Sequence, residues 1–338
     1  ICFVTKVYIF LFFLGYYCNI VVGFVTVKKL LTRNFKTFCT LTRAYSLPIS
    51  VMSWLIPFVY AVFDNGNIFY GILALAGIMI LHLATNLFDD IVDYSRELID
   101  IKNNKKDYFN FQKGKCAFII ENKVTLKQAF MINLALFFVV LLIGMFFFSI
   151  FGTKLLAIII PSVLLCLLYP ILGCLGFGEF IIAIIFSPLI YLGVYFVMTS
   201  SFSYQILVLS VSTGLLSVAI LFNHSLLDYK YDTTNRKITL CRLCANEKNA
   251  LIMLSVIILL AFINLIYFIA NNTLSIIYLL PLITLPLAVK LIKEMNNYIN
   301  QGKVPDNSKI FLEKFLLAQN LQKYFIITLC ISVILSYW

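Results

Sequence analysis

The chain is a succession of apolar runs, each about 18–22 residues long, the length an α-helix needs to cross a hydrocarbon core of roughly 30 Å. Such runs lie near Leu47–Phe63, Ile68–Phe88, Gln128–Phe151, Leu155–Leu172, Gly178–Met198, Tyr204–His224, Ala250–Ala270, Leu274–Leu291 and Tyr324–Trp338. A further apolar stretch, Val7–Val27, precedes them. Lipid offers the backbone no hydrogen-bond partner, so spanning segments are helices or closed barrels, and these runs are too long for barrel strands. Charged residues make up only 12% of the chain, where a soluble domain has about a quarter. The expectation is an all-α polytopic membrane protein of about nine transmembrane helices, with one domain over residues 41–338. Residues 1–40, which begin with Ile and not Met, read as an extra helix, a signal-like segment or a part absent from the mature protein.

The net charge of +11 raises nucleic acid as a partner, but the placement of the charges excludes that reading. Loops 64–67, 152–154, 200–203 and 271–273 hold one basic residue, Lys154. The alternate loops hold Arg43, Arg96, Lys105, Lys106, Lys123, Lys127, Lys230, Arg236, Lys237, Arg242, Lys293, Lys309 and others. Basic loops stay on the cytoplasmic side, so the charge orients the chain in the cell's inner or plasma membrane.

Two acidic clusters sit where apolar runs end on that side. In Asn86-Leu-Phe-Asp89-Asp90-Ile-Val-Asp93, Asn86, Asp90 and Asp93 fall at i, i+4 and i+7, on one helical face, with Asp89 beside them. Carboxylates so close repel unless a cation lies between them, and hard oxygen donors suit Mg²⁺. The second cluster, His224-Ser-Leu-Leu-Asp228-Tyr-Lys-Tyr-Asp232, has i, i+4, i+8 spacing. Arg236, Lys237 and Thr239 follow it, with chemistry suited to phosphate oxygens. The two clusters lie four helices apart and form a weak internal repeat. A solvated acidic surface is the plainer reading of either cluster alone. Two of them at membrane boundaries point to a site. Asp89-Asp90-Ile-Val-Asp93 also spells DDxxD, the diphosphate–Mg²⁺ motif of soluble isoprenyl diphosphate synthases.

Glu179, at the start of a membrane helix, is a snorkelling residue favoured by the helix dipole or an orienting group for a substrate. His82 precedes Asn86 by one turn on the same face and is either its partner or a packing residue. The nine cysteines read as small core hydrophobes, and Cys241-Arg-Leu-Cys244 as an incidental CxxC without a second pair.

Four segments resemble the UbiA-type intramembrane prenyltransferases, and among them the 1,4-dihydroxy-2-naphthoate polyprenyltransferases. Asn86–Asp93 is similar to the NxxxDxxD form of the family's first motif, with Tyr94 where the 4-hydroxybenzoate branch has its last Asp. Asp228–Asp232 with Lys237-Ile-Thr239-Leu240 resembles DxxxDxxxGKxTL, although Arg236 replaces the Gly. Leu227 and His224 stand where Arg and Asn are common in the family. Arg43-Ala-Tyr-Ser46-Leu47-Pro48 resembles RPxSLP, and Gly176–Tyr195 resembles the fifth helix of the naphthoate branch.

The resemblance implies that Asp90 and Asp93, with Asp89 adjacent, hold one Mg²⁺, and Asp228 and Asp232 a second. A polyprenyl diphosphate would ionise there, and its prenyl cation would alkylate an aromatic acceptor. Asn86, Arg43, Lys237, Glu179, His224 and Tyr195 are the substrate-binding candidates, with Tyr191 and Tyr195 offering π faces to the cation. Membrane lipid is the remaining partner expected. A 4-hydroxybenzoate or other acceptor, or an ion-transporting protein, stays as an alternative.

Overall fold

The computed structural model describes residues 33–102, 116–120, 123–173, 175–234, 238–301 and 308–338. The apolar stretch Val7–Val27 and Lys237 lie outside them. A short helix α1 (Arg33–Leu41) and a 3₁₀ turn (Ala44–Ser46) lead into α2 (Leu47–Phe63) and the long α3 (Ile68–Lys102). After a one-turn helix α4 (Ala117–Ile120) come α5 (Leu126–Phe151) and α6 (Leu156–Leu172). One span then comprises α7 (Gly178–Ile184), a π-helical turn (Ile185–Leu189) and α8 (Ile190–Thr199). The second half continues with α9 (Tyr204–Leu227), the short helices α10 (Tyr229–Thr234) and α11 (Leu240–Leu243), and α12 (Glu247–Ala270). A 3₁₀ segment (Ile276–Thr284) runs into α13 (Leu285–Asn300), and α14 (Ser308–Ser336) ends the chain.

Among the described residues, eight helical stretches are long and apolar enough to cross a membrane. One of them, Leu126–Leu172, has 47 residues and contains two of the expected spans. Its chain bends at Gly152, where φ is +64°. A Cβ placed on Gly144 of α5 would lie 3.9 Å from Ile159 of α6, so α6 folds back on α5. The helix starts carry conventional caps: Thr125 and Gln128 form a reciprocal capping box on α5, and Asn246 accepts from the Asn249 N–H on α12.

Three boundaries differ from expectation for one reason, among them the end of α13 at Asn300 where Leu291 was expected. Apolarity reports where the bilayer is, whereas a helix continues wherever nothing breaks its hydrogen-bond ladder. The second span was expected to end at Phe88, but α3 runs to Lys102, because no Gly or Pro interrupts residues 86–102. The last span was expected from Tyr324, yet α14 begins at Ser308. In its second turn Lys314 Nζ pairs with Glu294 of α13.

Polar side chains inside the bundle are spent on bonds between helices. Trp54 Nε1 donates to Gly71 O at 2.8 Å, Asn133 Nδ2 to Ala84 O at 2.6 Å and Gln322 Nε2 to Ser217 Oγ at 2.6 Å. Each such bond in a membrane contributes about 0.6 kcal/mol. Pro188, which lacks the N–H that would continue the α ladder, lies within the π turn. Ser187 in that turn donates to Ser210 O of α9, and Gly214 of α9 sits so close to Ser187 that no Cβ fits there.

The bundle has two distinct ends. At one, Asp64 accepts from Tyr195 Oη at 2.7 Å and Tyr337 Oη at 2.6 Å, and Asn67 N donates to Met198 O at 2.8 Å. At the other, Arg43 before α2 reaches Asn86 O on α3 at 2.8 Å, and Asn223 near the end of α9 donates to Lys314 O on α14. The helices α3 and α9 therefore run in the same sense, and both acidic segments fall at this second end.

Candidate active site

The first acidic segment lies within a helix and not at its end, since α3 carries Asn86–Asp93 and continues beyond. Its back is held by Leu87 and Ile91, which pack with Leu41, Ile119, Val124 and Ala129. Its front meets Arg43. The guanidinium Nη2 lies 2.8 Å from Asp89 Oδ2, 3.1 Å from Asp90 Oδ1 and 2.8 Å from Asn86 O. Asp90 is only 4% exposed, and a buried carboxylate needs a cation or hydrogen bonds to remain ionised. Burial pulls the Arg43 pKa down, but Asp90 and Asp89 outweigh it and hold the pKa above its ordinary value. The far side of Asp90 meets Cys116, whose thiol donates to the Asp90 carbonyl at 3.2 Å.

Arg43 is aimed by its own backbone. Its φ of 52° and ψ of 44° place it in the left-handed region, which a non-glycine residue occupies at a cost of order 1 kcal/mol. Ser46 compensates, donating both its N–H and its Oγ–H to Arg43 O at 2.9 Å. The Asn86 amide is consumed in the same turn: Nδ2 donates to Thr42 O at 3.3 Å and Ser46 Oγ at 2.9 Å.

The second acidic segment sits on a break. The helix α9 ends at Leu227, Asp228 caps it at φ −94° and ψ 5°, and α10 resumes. The Asp232 N–H donates to Asp228 O at 2.9 Å, which keeps the two carboxylates one turn apart. His224 Nδ1 lies 3.1 Å from Asp228 Oδ2, with its ring edge-on to Phe315. Asp232 is 1% exposed and Asp228 half-buried; in the first segment Asp90 is buried and Asp93 half-buried. With Asp89 also buried, the first cluster offers two buried carboxylates and one accessible, and the second one of each. Among the described residues, no three His, Cys, Asp or Glu side chains gather tightly enough to form a metal cage by themselves.

Residues 175 and 238 pair as a parallel bridge, which brings the start of α7 against the loop beyond Asp232. Glu179 is 4% exposed there. The fully buried Cys241 has its thiol pushed up by burial first, then by the neighbouring Cys244, Glu179 and Asp232. Glu179 therefore does not snorkel to the surface, and the CxxC is held as thiols in an acidic setting, the opposite of a reactive thiolate site.

The sequence model of the UbiA prenyltransferase family matches residues 47–312. This chain belongs to the UbiA prenyltransferase family. No curated protein sequence matches it significantly, but solved structures share its fold. The structure of digeranylgeranylglyceryl phosphate synthase aligns with a TM-score of 0.61 at 15% identity, covering 90% of this chain and 99% of that one. The UbiA homolog from Archaeoglobus fulgidus bound to GPP and Mg²⁺ aligns at 0.58 and 12%, covering 86% and 99%. The apo UbiA homolog from Aeropyrum pernix K1 aligns at 0.59 and 16%, covering 83% and 97%. At these identities the likeness is one of fold.

Within the UbiA bundle the expected site residues divide. Asn86, Asp89, Asp90 and Arg43 are joined directly, His224 joins Asp228, and Glu179 approaches Asp232 through Cys241. Tyr195 is not with them: its hydroxyl is bound to Asp64 at the opposite end of the bundle. Counting along the span anticipates this, because 16 residues beyond Glu179 is about 24 Å of helix. Tyr191 is fully buried in the core. Tyr195→Phe is expected to lower stability by about 0.5–1.5 kcal/mol, the net worth of one hydrogen bond. It should leave turnover within twofold of wild type; thermal melts beside activity assays check both. Ser46, quoted above only within the Arg43–Pro48 motif, and Ser50, not singled out at all, flank His82. Two serines one turn apart, at the start of the helix that Arg43 precedes, were the available signal.

Proposed function

We propose that this chain transfers a prenyl group from a polyprenyl diphosphate to an aromatic acceptor in an Mg²⁺-dependent reaction, and that the acceptor is 1,4-dihydroxy-2-naphthoate. The observation that carries the proposal is that two acidic segments lie at the same end of the bundle, the first already closed on a cation, Arg43. The donor set fits Mg²⁺. The first segment supplies three carboxylates and the second two, with no complete cage among the described residues, which suits a small hard ion that keeps waters and takes its remaining ligands from a substrate phosphate. Asp90 and Asp93 would hold one ion, with Asp89 beside them, and Asp228 and Asp232 another. Bound there, Mg²⁺ would neutralise the departing diphosphate.

The chain's own residues account for the rest. Arg43 sits against the first pair with a planar fork of donors, suited to a phosphate as well as a carboxylate. His224 orients Asp228 through its Nδ1 contact. Lys237, which follows Asp232 in the sequence, is the second basic candidate for the diphosphate, and Glu179, buried at the start of α7, would orient the acceptor. In the reaction the allylic C–O bond breaks, the diphosphate leaves with the bonding pair, and a C–C bond forms at the ring. The acceptor's carboxylate departs as CO₂. The NxxxDxxD form and the Gly176–Tyr195 resemblance support naphthoate. The carboxylates lie at one end of the bundle and not at mid-bilayer, where transport sites are built. The basic loops on the site's side support a cytoplasmic orientation in the plasma membrane.

The test is an assay of membranes carrying the protein, with a polyprenyl diphosphate and Mg²⁺, on 1,4-dihydroxy-2-naphthoate beside 4-hydroxybenzoate. Prenylated naphthalenediol is expected from the first, abolished by a chelator, and no product from the second. Product from 4-hydroxybenzoate alone overturns the acceptor, and product from neither overturns the quinone-precursor reading.

A further inference from the structure

His82 is half-buried in α3, one turn before the first acidic segment. Its ring is held on three sides: Nδ1 lies 2.7 Å from Ser50 Oγ, Nε2 lies 3.1 Å from Ser46 Oγ, and an edge meets Phe186 with ring centres 5.4 Å apart. Phe186 belongs to the π turn, and both serines belong to the turns that start α2.

Counting hydrogens over these contacts favours one tautomer. Ser46 Oγ has one hydrogen and places it on Arg43 O, while it already accepts from Asn86 Nδ2. The His82 contact is then completed when Nε2 carries the proton and donates to Ser46 Oγ. Nδ1 is left as an acceptor, and Ser50, fully buried with its side chain on His82, donates to it. The opposite tautomer would leave the Ser50 hydroxyl hydrogen without an acceptor, at the cost of an unmet buried donor.

The consequence runs outward. Ser50 orients His82, His82 and Asn86 both donate to Ser46, and Ser46 holds Arg43 O with two hydrogens, which keeps Arg43 in its left-handed conformation and its guanidinium on Asp89 and Asp90. We propose that His82, as the neutral Nε2–H tautomer clamped between Ser50 and Ser46, is a positioning residue that aims Arg43 at the diphosphate end of the site. This rests on the reading of Arg43 as a diphosphate ligand. Phe186 closes the open edge of the ring, so the π turn of the second half of the bundle supports an arginine of the first.

The experiment is a double-mutant cycle on the full chain in detergent, read by calorimetric binding of inorganic pyrophosphate with Mg²⁺ as well as by turnover. His82→Phe, which keeps the ring's bulk and removes both bonds, is expected to weaken Mg²⁺–pyrophosphate binding about tenfold. It should raise the KM for the prenyl diphosphate by a similar factor, with the acceptor KM within twofold of wild type. Ser50→Ala, a change of one oxygen, should move the same quantities by about threefold. In the Arg43→Ala background His82→Phe should have little further effect, because the residue it aims is gone. Independent, multiplicative losses from His82 and Arg43 overturn the proposal, as does a His82→Phe or Ser50→Ala effect confined to kcat or to the acceptor KM. A wild-type chain that binds Mg²⁺–pyrophosphate but transfers nothing overturns the functional reading alone, since the binding cycle still decides the role of His82.

Discussion

Asp90→Asn and Asp232→Asn are each expected to lower prenyl transfer by about 10³-fold with the fold intact. The size follows from the charge removed: a bound metal supplies several kcal/mol of transition-state stabilisation, and each 1.36 kcal/mol is about a factor of ten. Asparagine keeps the shape, so the packing of Leu87 and Ile91 against Leu41 and Ile119 survives. Arg43 retains Asp89 as a partner when Asp90 is changed. If both segments act on one diphosphate, the double variant loses far less than the product of the single losses, because either half is ineffective without the other. Turnover of labelled prenyl diphosphate in proteoliposomes measures this. Single variants within threefold of wild type would sink the two-segment site.

Arg43→Ala should have the largest effect on stability of any change near the site, about 2–3 kcal/mol. Breaking a buried ion pair by removing one partner costs ~3–5 kcal/mol. The lower figure reflects the arginine's side chain, which is 21% exposed and screened accordingly. The informative result is its dependence on divalent ion. With Arg43 gone, Asp89 and Asp90 face each other without their cation, so Mg²⁺ should raise the melting temperature of Arg43→Ala more than that of wild type. At 100 times its Kd, a ligand adds about 2.7 kcal/mol. Arg43→Lys keeps the charge but not the fork and should fall between the two. Equal Mg²⁺ shifts in wild type and Arg43→Ala would show that the ion does not use the carboxylates Arg43 occupies.

Lipid made the fold legible. A backbone that must satisfy itself leaves long apolar runs no choice but helix, and α2, α5 and α12 lie within a few residues of expectation. The ends of α3 and α14 were not legible, because once a helix enters water hydropathy no longer says where it stops. Within the site, helical spacing put Asn86, Asp90 and Asp93 on one face. It could not supply what approaches that face from outside the helix. Arg43 and Ser46 reach Asn86 from 43 and 40 residues away, and only the packing of α2 on α3 brings them there. Tyr195 was misplaced for the converse reason: a motif match gives residue types in order, but says nothing about how far along the span each one lies.

The π turn at Ile185–Leu189 changes how this chain should be set beside its relatives. Such a turn accommodates one residue more than an α-helix spanning the same ends, and one residue of α-helix is about 100° of rotation. A relative with an unbroken helix here keeps the same faces turned inward only if it is one residue shorter, so the alignment gap belongs in mid-bilayer and not in a loop. An alignment that forbids gaps within spans would set Ile190–Thr199 one column out of register, and would compare residues on different faces of the helix.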